Sequence, residues 1–233
     1  MHIAGLTAAT APRPISTSFA GSGLAGSGRL DQLLALERVG TRHAFPRNAE
    51  IYIEGDRCDH WYRIVSGTVR VCKLLADGRR HIAEFWFSGD CFGLENAPAR
   101  SFAAEAVEDV VVMRYPRAAT ERVIEETPGL GRWLREIMLH DLATARERML
   151  LLGRKSAPER VASFLLELFD RKDGAKAVEL AMSRNDIADY LGLTIETVCR
   201  VLSSLKRHGA IAIPSPHRIE LRNREAIEAL IED

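Results

Sequence analysis

Between about Arg38 and Pro116 the apolar positions come in short runs: Ile51-Tyr52-Ile53, Trp61 to Val65, Thr68 to Cys72, and Val110 to Met113. These runs are rich in β-branched and aromatic residues, and Gly55-Asp56, Ser66-Gly67, Asp77-Gly78 and Gly89-Asp90 punctuate them. Many short strands separated by glycine turns predict a small barrel or roll. The period changes after Pro128. Leu130, Leu134, Met138, Leu142, Ala145, Met149 and Leu152 follow in steps of four or three, which predicts one long amphipathic helix ended by Gly153-Arg154-Lys155. Such a stripe packs either on its own domain or against the same helix of a second subunit as a two-stranded coiled coil. Its length, and its place between two domains, favour the dimer.

The last third has its own punctuation. Ser156-Ala157-Pro158-Glu159 has the form of a capping box, and Val161, Leu165, Leu168 and Phe169 mark the buried side of the helix that follows. A second box, Ser183 to Asp186, starts a short helix with Ile187, Ala188 and Leu191 inward. Gly192-Leu193-Thr194 breaks it, Thr194 caps a further helix from Ile195 to about Arg207, and His208-Gly209 stops that one. Helix, glycine turn, helix is the helix-turn-helix pattern. Ile211, Ile213, a Pro214-Ser215-Pro216 turn, Ile219 and Leu221 then predict two short strands forming a wing.

The second helix sorts by face. Val198, Val201, Leu202 and Leu205 turn inward, leaving Ile195, Glu196, Cys199, Arg200 and Ser203 outward. A recognition helix reaches base edges with its first turns. There Arg200 suits guanine, Glu196 suits cytosine, and Ile195 suits a thymine methyl. The competing reading is an i,i+4 ion pair between Glu196 and Arg200 on a solvated face, worth about 0.2–0.5 kcal/mol. The wing behind the helix and the exposed Ile195 favour base reading by Ile195, Glu196, Cys199 and Arg200. Ser183, Arg184, Thr194, Thr197 and Ser203 are the candidate phosphate contacts. For Arg184, at a helix N-terminus, a free surface arginine is an equal alternative.

Composition adds limits. Lys plus Arg equals Asp plus Glu at 32 each, so net charge does not point to a nucleic acid. No apolar run is long enough to cross a bilayer, which argues against a membrane partner. The Ser-, Ala- and Gly-rich start has no charged segment leading into an apolar one, so it reads as a disordered tail over residues 1–29 and not as a secretion signal. Cys58, Cys72, Cys91 and Cys199 form no CxxC pair, which fits reduced thiols in a cytosol. A β-roll enzyme of cupin type would need clustered ligands, whereas only His43, His60 and His81 fall in the roll, with no HxH spacing. A non-enzymatic role and no metal are expected.

The stretch from Ile187 to Leu202 (IADYLGLTIETVCRVL) resembles the recognition region of the Crp/Fnr regulators. Met149 to Arg160 (MLLLGRKSAPER) resembles the linker and first DNA-domain helix of the Fnr and FixK branch. Trp61 to Arg70 (WYRIVSGTVR) and Phe87 to Glu95 (FSGDCFGLE) resemble the effector-domain roll. The resemblance implies an α+β chain with a double-stranded β-roll (30–127), a dimerisation helix (128–155) and a winged helix-turn-helix (156–233). It further implies a homodimer on double-stranded DNA, a TTGA-like palindrome, and activation through RNA polymerase. The branch carries Glu-x-x-Ser-Arg in its recognition helix. Glu196 and Arg200 match, and Cys199 replaces the serine, leaving one thymine position unassigned; its thiol is either a candidate for oxidation on the reading face or simply a small residue that fits the groove.

Departures narrow the sensor. The first 57 residues contain no cysteine, which argues against an iron–sulfur cluster of Fnr type. The phosphate cassette of the cyclic-AMP branch is broken: Gly93-Leu94-Glu95 precedes a shortened loop to Arg100-Ser101, and Arg100 is expected to be a surface arginine. No cofactor is expected. A small ligand in the roll remains the alternative.

Overall fold

The computed structural model describes residues 27–172 and 174–232. Most of the tail expected at 1–29 lies outside the described residues, and its last positions open a helix, α1 (Ser27–Glu37), that the pattern did not predict. Eight strands follow: β1 (Thr41–Phe45), β2 (Glu50–Tyr52), β3 (His60–Ser66), β4 (Val69–Leu74), β5 (Arg80–Trp86), β6 (Cys91–Phe92), β7 (Ala103–Ala106) and β8 (Val110–Pro116). They form two four-stranded antiparallel sheets, ordered β1-β8-β3-β6 and β2-β7-β4-β5. Side chains alternating off each strand meet between the sheets, where Tyr62, Ile64, Val69, Phe92, Ala106 and Val112 make the roll's core. The β3–β4 turn requires glycine: Gly67 has φ +89°, and a Cβ there would sit 2.6 Å from the Asp109 carbonyl oxygen.

A second cluster lies where α1, α2 (Arg117–Glu126) and the first half of α3 (Leu130–Arg154) close over the outside of one sheet. Trp61 anchors it, stacked on Tyr115 at 4.3 Å with its indole N–H donating to Thr120 Oγ1 at 2.9 Å. This corrects the expected dimer stripe. Leu130 and Leu134 are buried beside Trp133 and Ile137 in the chain's own core, because α1 and α2 cover the first turns of α3. Beyond them Met138, Leu142, Ala145 and Met149 are exposed, as are Leu139 and Leu150, while Leu152 is half-buried. The helix begins at Leu130, two residues after Pro128 and directly after the left-handed Gly129, and runs through Gly153 before Lys155 turns extended.

The C-terminal third comprises α4 (Ala157–Asp170), β9 (Ala177–Glu179), α5 (Arg184–Leu191), α6 (Ile195–Arg207), β10 (Ile211–Ser215), β11 (Arg218–Leu221) and α7 (Arg224–Glu232). The wing has a third strand, β9, paired antiparallel with β11. The helical core of this domain is continuous with Cys72, Ile82, Phe85 and Val107 of the roll. The two domains therefore share one apolar seam.

Where the roll meets α1 and α3, a cavity of about 680 Å³ is lined by Val71, Trp86, Glu84, Asp90, Asp141 and Trp133 among others. Burial raises the Glu84 carboxyl to about 7, with Arg148 opposing the rise. Burial, with Glu84 and Asp90 adding to it, raises Asp141 to about 7. Between the ordinary 3.8 and about 7 the folded chain keeps a proton on Asp141 that the unfolded chain has released. That contribution falls as pH rises and is fully lost above the folded pKa. Asp141→Asn should therefore raise the melting temperature near pH 8 and change it little near pH 4, in calorimetric melts at both values. Equal shifts at the two values would contradict the carboxyl's assigned state.

Candidate nucleic-acid interface

α5 starts where Ser183 and Asp186 satisfy each other. The Asp186 N–H donates to Ser183 Oγ at 3.1 Å, and the Ser183 N–H and hydroxyl donate to Asp186 Oδ2 at 3.0 and 2.7 Å. The helix stops at Gly192, whose φ of 62° places it in the left-handed region. Thr194 then caps α6, accepting the Thr197 N–H at 3.3 Å. The two capping groups and the glycine turn sit where the residue types predicted.

α6 buries Val198, Val201, Leu202 and Leu205 and leaves Ile195, Glu196, Cys199, Arg200 and Ser203 exposed. Among the described residues no ion pair joins Glu196 to Arg200. Arg200 Nη2 donates instead to Thr197 Oγ1 at 3.2 Å, which stands the guanidinium along the first turns. Glu196, held by its own backbone N–H and by Thr194, keeps its carboxyl below the usual carboxylate range and so ionised. Ile195, 39% exposed, has its apolar tip in water beside them. A cation, an anion and an apolar tip on one exposed helical face are the three chemistries that discriminate base edges. Of the four cysteines only Cys199 is exposed, and it lies on this face.

Of the expected phosphate contacts, Ser183 is otherwise engaged and Arg184 is partly so, its Nη1 remaining without a partner among the described residues. The Ser183 hydroxyl donates its one proton to Asp186, leaving no donor for an anion. Arg184 is neither free nor fully on the surface: it is half-buried, and its Nη2 donates to the Pro216 carbonyl at 3.0 Å, tying α5 to the wing turn. Thr194 and Ser203 are exposed and Thr197 is half-buried. Within the wing, Pro214 lacks an N–H, and the β10–β11 pairing shifts register between Ala212 and Ser215.

Arg160, whose role the pattern did not reveal, fixes the motif to the long helix. Its Nη2 donates to the Leu152 carbonyl in the last turn of α3 at 2.8 Å, its Nη1 to Leu191 at the end of α5 at 3.0 Å, and its Nε to Lys155 at 2.9 Å. No local signal marks such a residue, because its three acceptors come from three parts of the chain.

In the roll, the expectation of a surface Arg100 is corrected. Arg100 is 3% exposed, pairs with Glu95 at 2.8 Å, donates to the Gly93 carbonyl at 3.0 Å and to the His60 carbonyl, and stacks on Tyr52. The guanidinium thus turns inward onto the carbonyls of Gly93 and His60, the first of which also accepts from Arg117 Nη2 at 2.8 Å.

Two family models match the chain: a Crp-like helix-turn-helix domain over residues 159–230 and a cyclic nucleotide-binding domain over 42–127. The nitrogen fixation regulation protein FixK of Azorhizobium caulinodans is 45% identical over 197 residues, covering 82% of this chain and 79% of that protein. The chain belongs to the Crp/Fnr family. Among Crp/Fnr structures, that of FixK2 from Bradyrhizobium japonicum superposes with a TM-score of 0.79 at 43% identity, over 82% of this chain and 97% of that one. The transcriptional activatory protein AadR of Rhodopseudomonas palustris is 36% identical over 198 residues, covering 83% and 82% of the two chains. The molecule is a FixK-like transcription regulator with a helix-turn-helix DNA-binding domain. Among the described residues no helix is long and apolar enough to cross a membrane.

The Gly192 turn yields a test within this Crp/Fnr motif. A Cβ at Gly192 meets only ordinary contacts, Arg160 Nη1 at 3.6 Å and Leu152 Cδ2 at 3.8 Å, so the penalty for alanine is conformational. Gly192→Ala should cost about 1–2 kcal/mol of stability, the penalty of the left-handed conformation for an L-residue. Gly192→Asn should cost less, in chemical denaturation. An alanine variant as stable as the parent would show that the turn does not need that conformation.

Proposed function

We propose that the protein is a cytoplasmic homodimer that binds a TTGA-type palindrome in double-stranded DNA and activates transcription by contacting RNA polymerase. The observation that carries the reading is the outward face of α6, where Ile195, Glu196 and Arg200 are exposed without an ion pair joining Glu196 to Arg200. The half-site sequence follows from the match of Glu196 and Arg200 to the FixK branch. Activation is supported by the activator description of a relative that spans the same domains.

Dimerisation is supported by the second half of α3. Met138, Leu142, Ala145 and Met149 repeat at steps of four, three and four, a heptad seam, and Met149 is 73% exposed. The same helix from a second copy covers that seam and sets two reading heads side by side.

The regulator works without a cofactor, an iron–sulfur cluster or a cyclic nucleotide. Arg100, the one basic group matching the family's phosphate cassette, is engaged within the roll. The cavity beside it is lined by Glu84, Asp90, Glu95 and Asp141 together with Arg63 and Arg171, and Arg171 is paired with Asp90. The cavity favours one second reading, gating by a small ligand. Oxidation of the Cys199 thiol, exposed among the base-reading residues, would add bulk and charge where the helix meets DNA.

Two measurements test the reading. Protein with nothing added should bind the palindrome, and Arg200→Ala should weaken the cognate site by about 1–3 kcal/mol while flattening preference at one base pair. Unchanged selectivity in competition between matched and mismatched duplexes would exclude Arg200 as a base reader. Met149→Glu combined with Leu142→Glu should give monomers in sedimentation, with weak binding to the palindrome. A wild-type chain that is monomeric while tightly bound to its operator would overturn the dimer.

A further inference from the structure

The helix-turn-helix is held to the roll by more than the shared apolar seam. Asp186 has two oxygens with separate duties. Oδ2 completes the cap of α5, whereas Oδ1 accepts from Arg70 Nη1 of β4 at 3.3 Å and Arg80 Nη2 of β5 at 2.5 Å. Arg80 also reaches Asp189, one turn along α5, through Nε at 2.9 Å and Nη2 at 2.8 Å. Next to Asp189, Tyr190 packs its ring 4.9 Å from Phe85 of β5 and 4.2 Å from the Arg148 guanidinium of α3. Arg70 and Asp186 are 8% and 5% exposed. Asp186, Asp189 and Tyr190 thus line one face of α5, opposite the Ile187 and Leu191 side that packs toward α6.

We propose that the Arg70–Asp186–Arg80–Asp189 network is a positioning device that sets the angle of α6 relative to α3, and so the separation of half-sites the dimer accepts. The proposal rests on the palindrome-reading dimer. Base preference within a half-site comes from side chains on α6, but the distance between two half-sites depends on how rigidly each reading head is held to the helix that pairs. One added base pair moves a half-site by about 3.4 Å and turns it about the DNA axis, and a head free to swivel absorbs both. Two guanidiniums gripping one carboxylate from different strands constrain rotation, which a single ion pair does not. Burial raises the Asp186 carboxyl, and the Ser183 bonds with both arginines outweigh it, so its pKa lies below the ordinary value and the anion persists.

The test uses the full-length dimer and palindromes whose spacer is lengthened or shortened by single base pairs. Arg80 and Asp189 suit it, since their side chains are 26% and 20% exposed and neither belongs to the reading face. Arg80→Ala should leave base preference within a half-site unchanged and reduce discrimination among spacers by about tenfold, the equivalent of 1.4 kcal/mol. The exchange Arg80→Asp with Asp189→Arg should restore part of the discrimination, which a loss of general stability would not. A wild-type spacing profile in Arg80→Ala overturns the positioning role while leaving the dimer reading intact. If the wild type itself shows no preference for paired half-sites, both fall together.

Discussion

Arg160 is the constraint from which the remaining geometry follows. A helix leaves its last carbonyls without internal partners, and these carry the negative end of its dipole. α3 and α5 both end within reach of this one side chain, and its planar guanidinium takes a carbonyl from each, together with one from the connection between α3 and α4. Three unsatisfied acceptors are removed by a group that stays charged throughout the accessible pH range. The consequence is directional. The end of the long helix, the start of the DNA-binding domain and the turn of its motif are fixed to each other before any base is touched.

That arrangement explains why the balanced charge of the chain says little about its partner. Arg70, Arg80, Arg100, Arg148, Arg160 and Arg171 all face inward, onto carboxylates or carbonyls at the joints. Many of the acidic residues are their partners. Of the exposed cations, Arg200 lies on the outer face of α6 and Lys206 and Arg207 in its last turn, while others, such as Arg42, Arg57 and Arg132, lie on the roll and α3. Whole-chain arithmetic counts the buried pairs together with all the exposed charges and so describes no single face.

Much of this fold was legible in the sequence, for reasons that differ by element. The capping boxes at Ser156 and Ser183, the Gly192 turn and the inward row of α6 are local: residue type and spacing suffice to specify them. Four of the roll's eight strands, β2, β3, β4 and β8, were legible as apolar runs; β1, β5, β6 and β7 were not, and neither was the order in two sheets, which depends on partners far along the chain. α1, α2, β9 and α7 escaped because each is short and stabilised by packing more than by its own pattern. The stripe on α3 was read correctly as apolar and incorrectly as uniform, because periodicity cannot tell which turns a neighbouring helix will cover. Arg100, and Arg184 in its reading as a free surface arginine, were misjudged for a related reason: burial of a long polar side chain depends on carbonyls that distant segments bring to it. The candidate base readers, by contrast, lie on one helix, and helical spacing placed them on its outer side.

The exposed half of α3 has a consequence for dosage. In the proposed dimer, burying apolar side chains that are 45–73% exposed would contribute at most about 1.5–3 kcal/mol each, and pairing along this seam would be a mass-action equilibrium with a definite midpoint. Below that midpoint the paired species grows with the square of the amount of chain present. A twofold rise in synthesis then yields a roughly fourfold rise in occupied operators. In such a regime the cell needs no allosteric ligand to sharpen the response: the steepness is built into the stoichiometry.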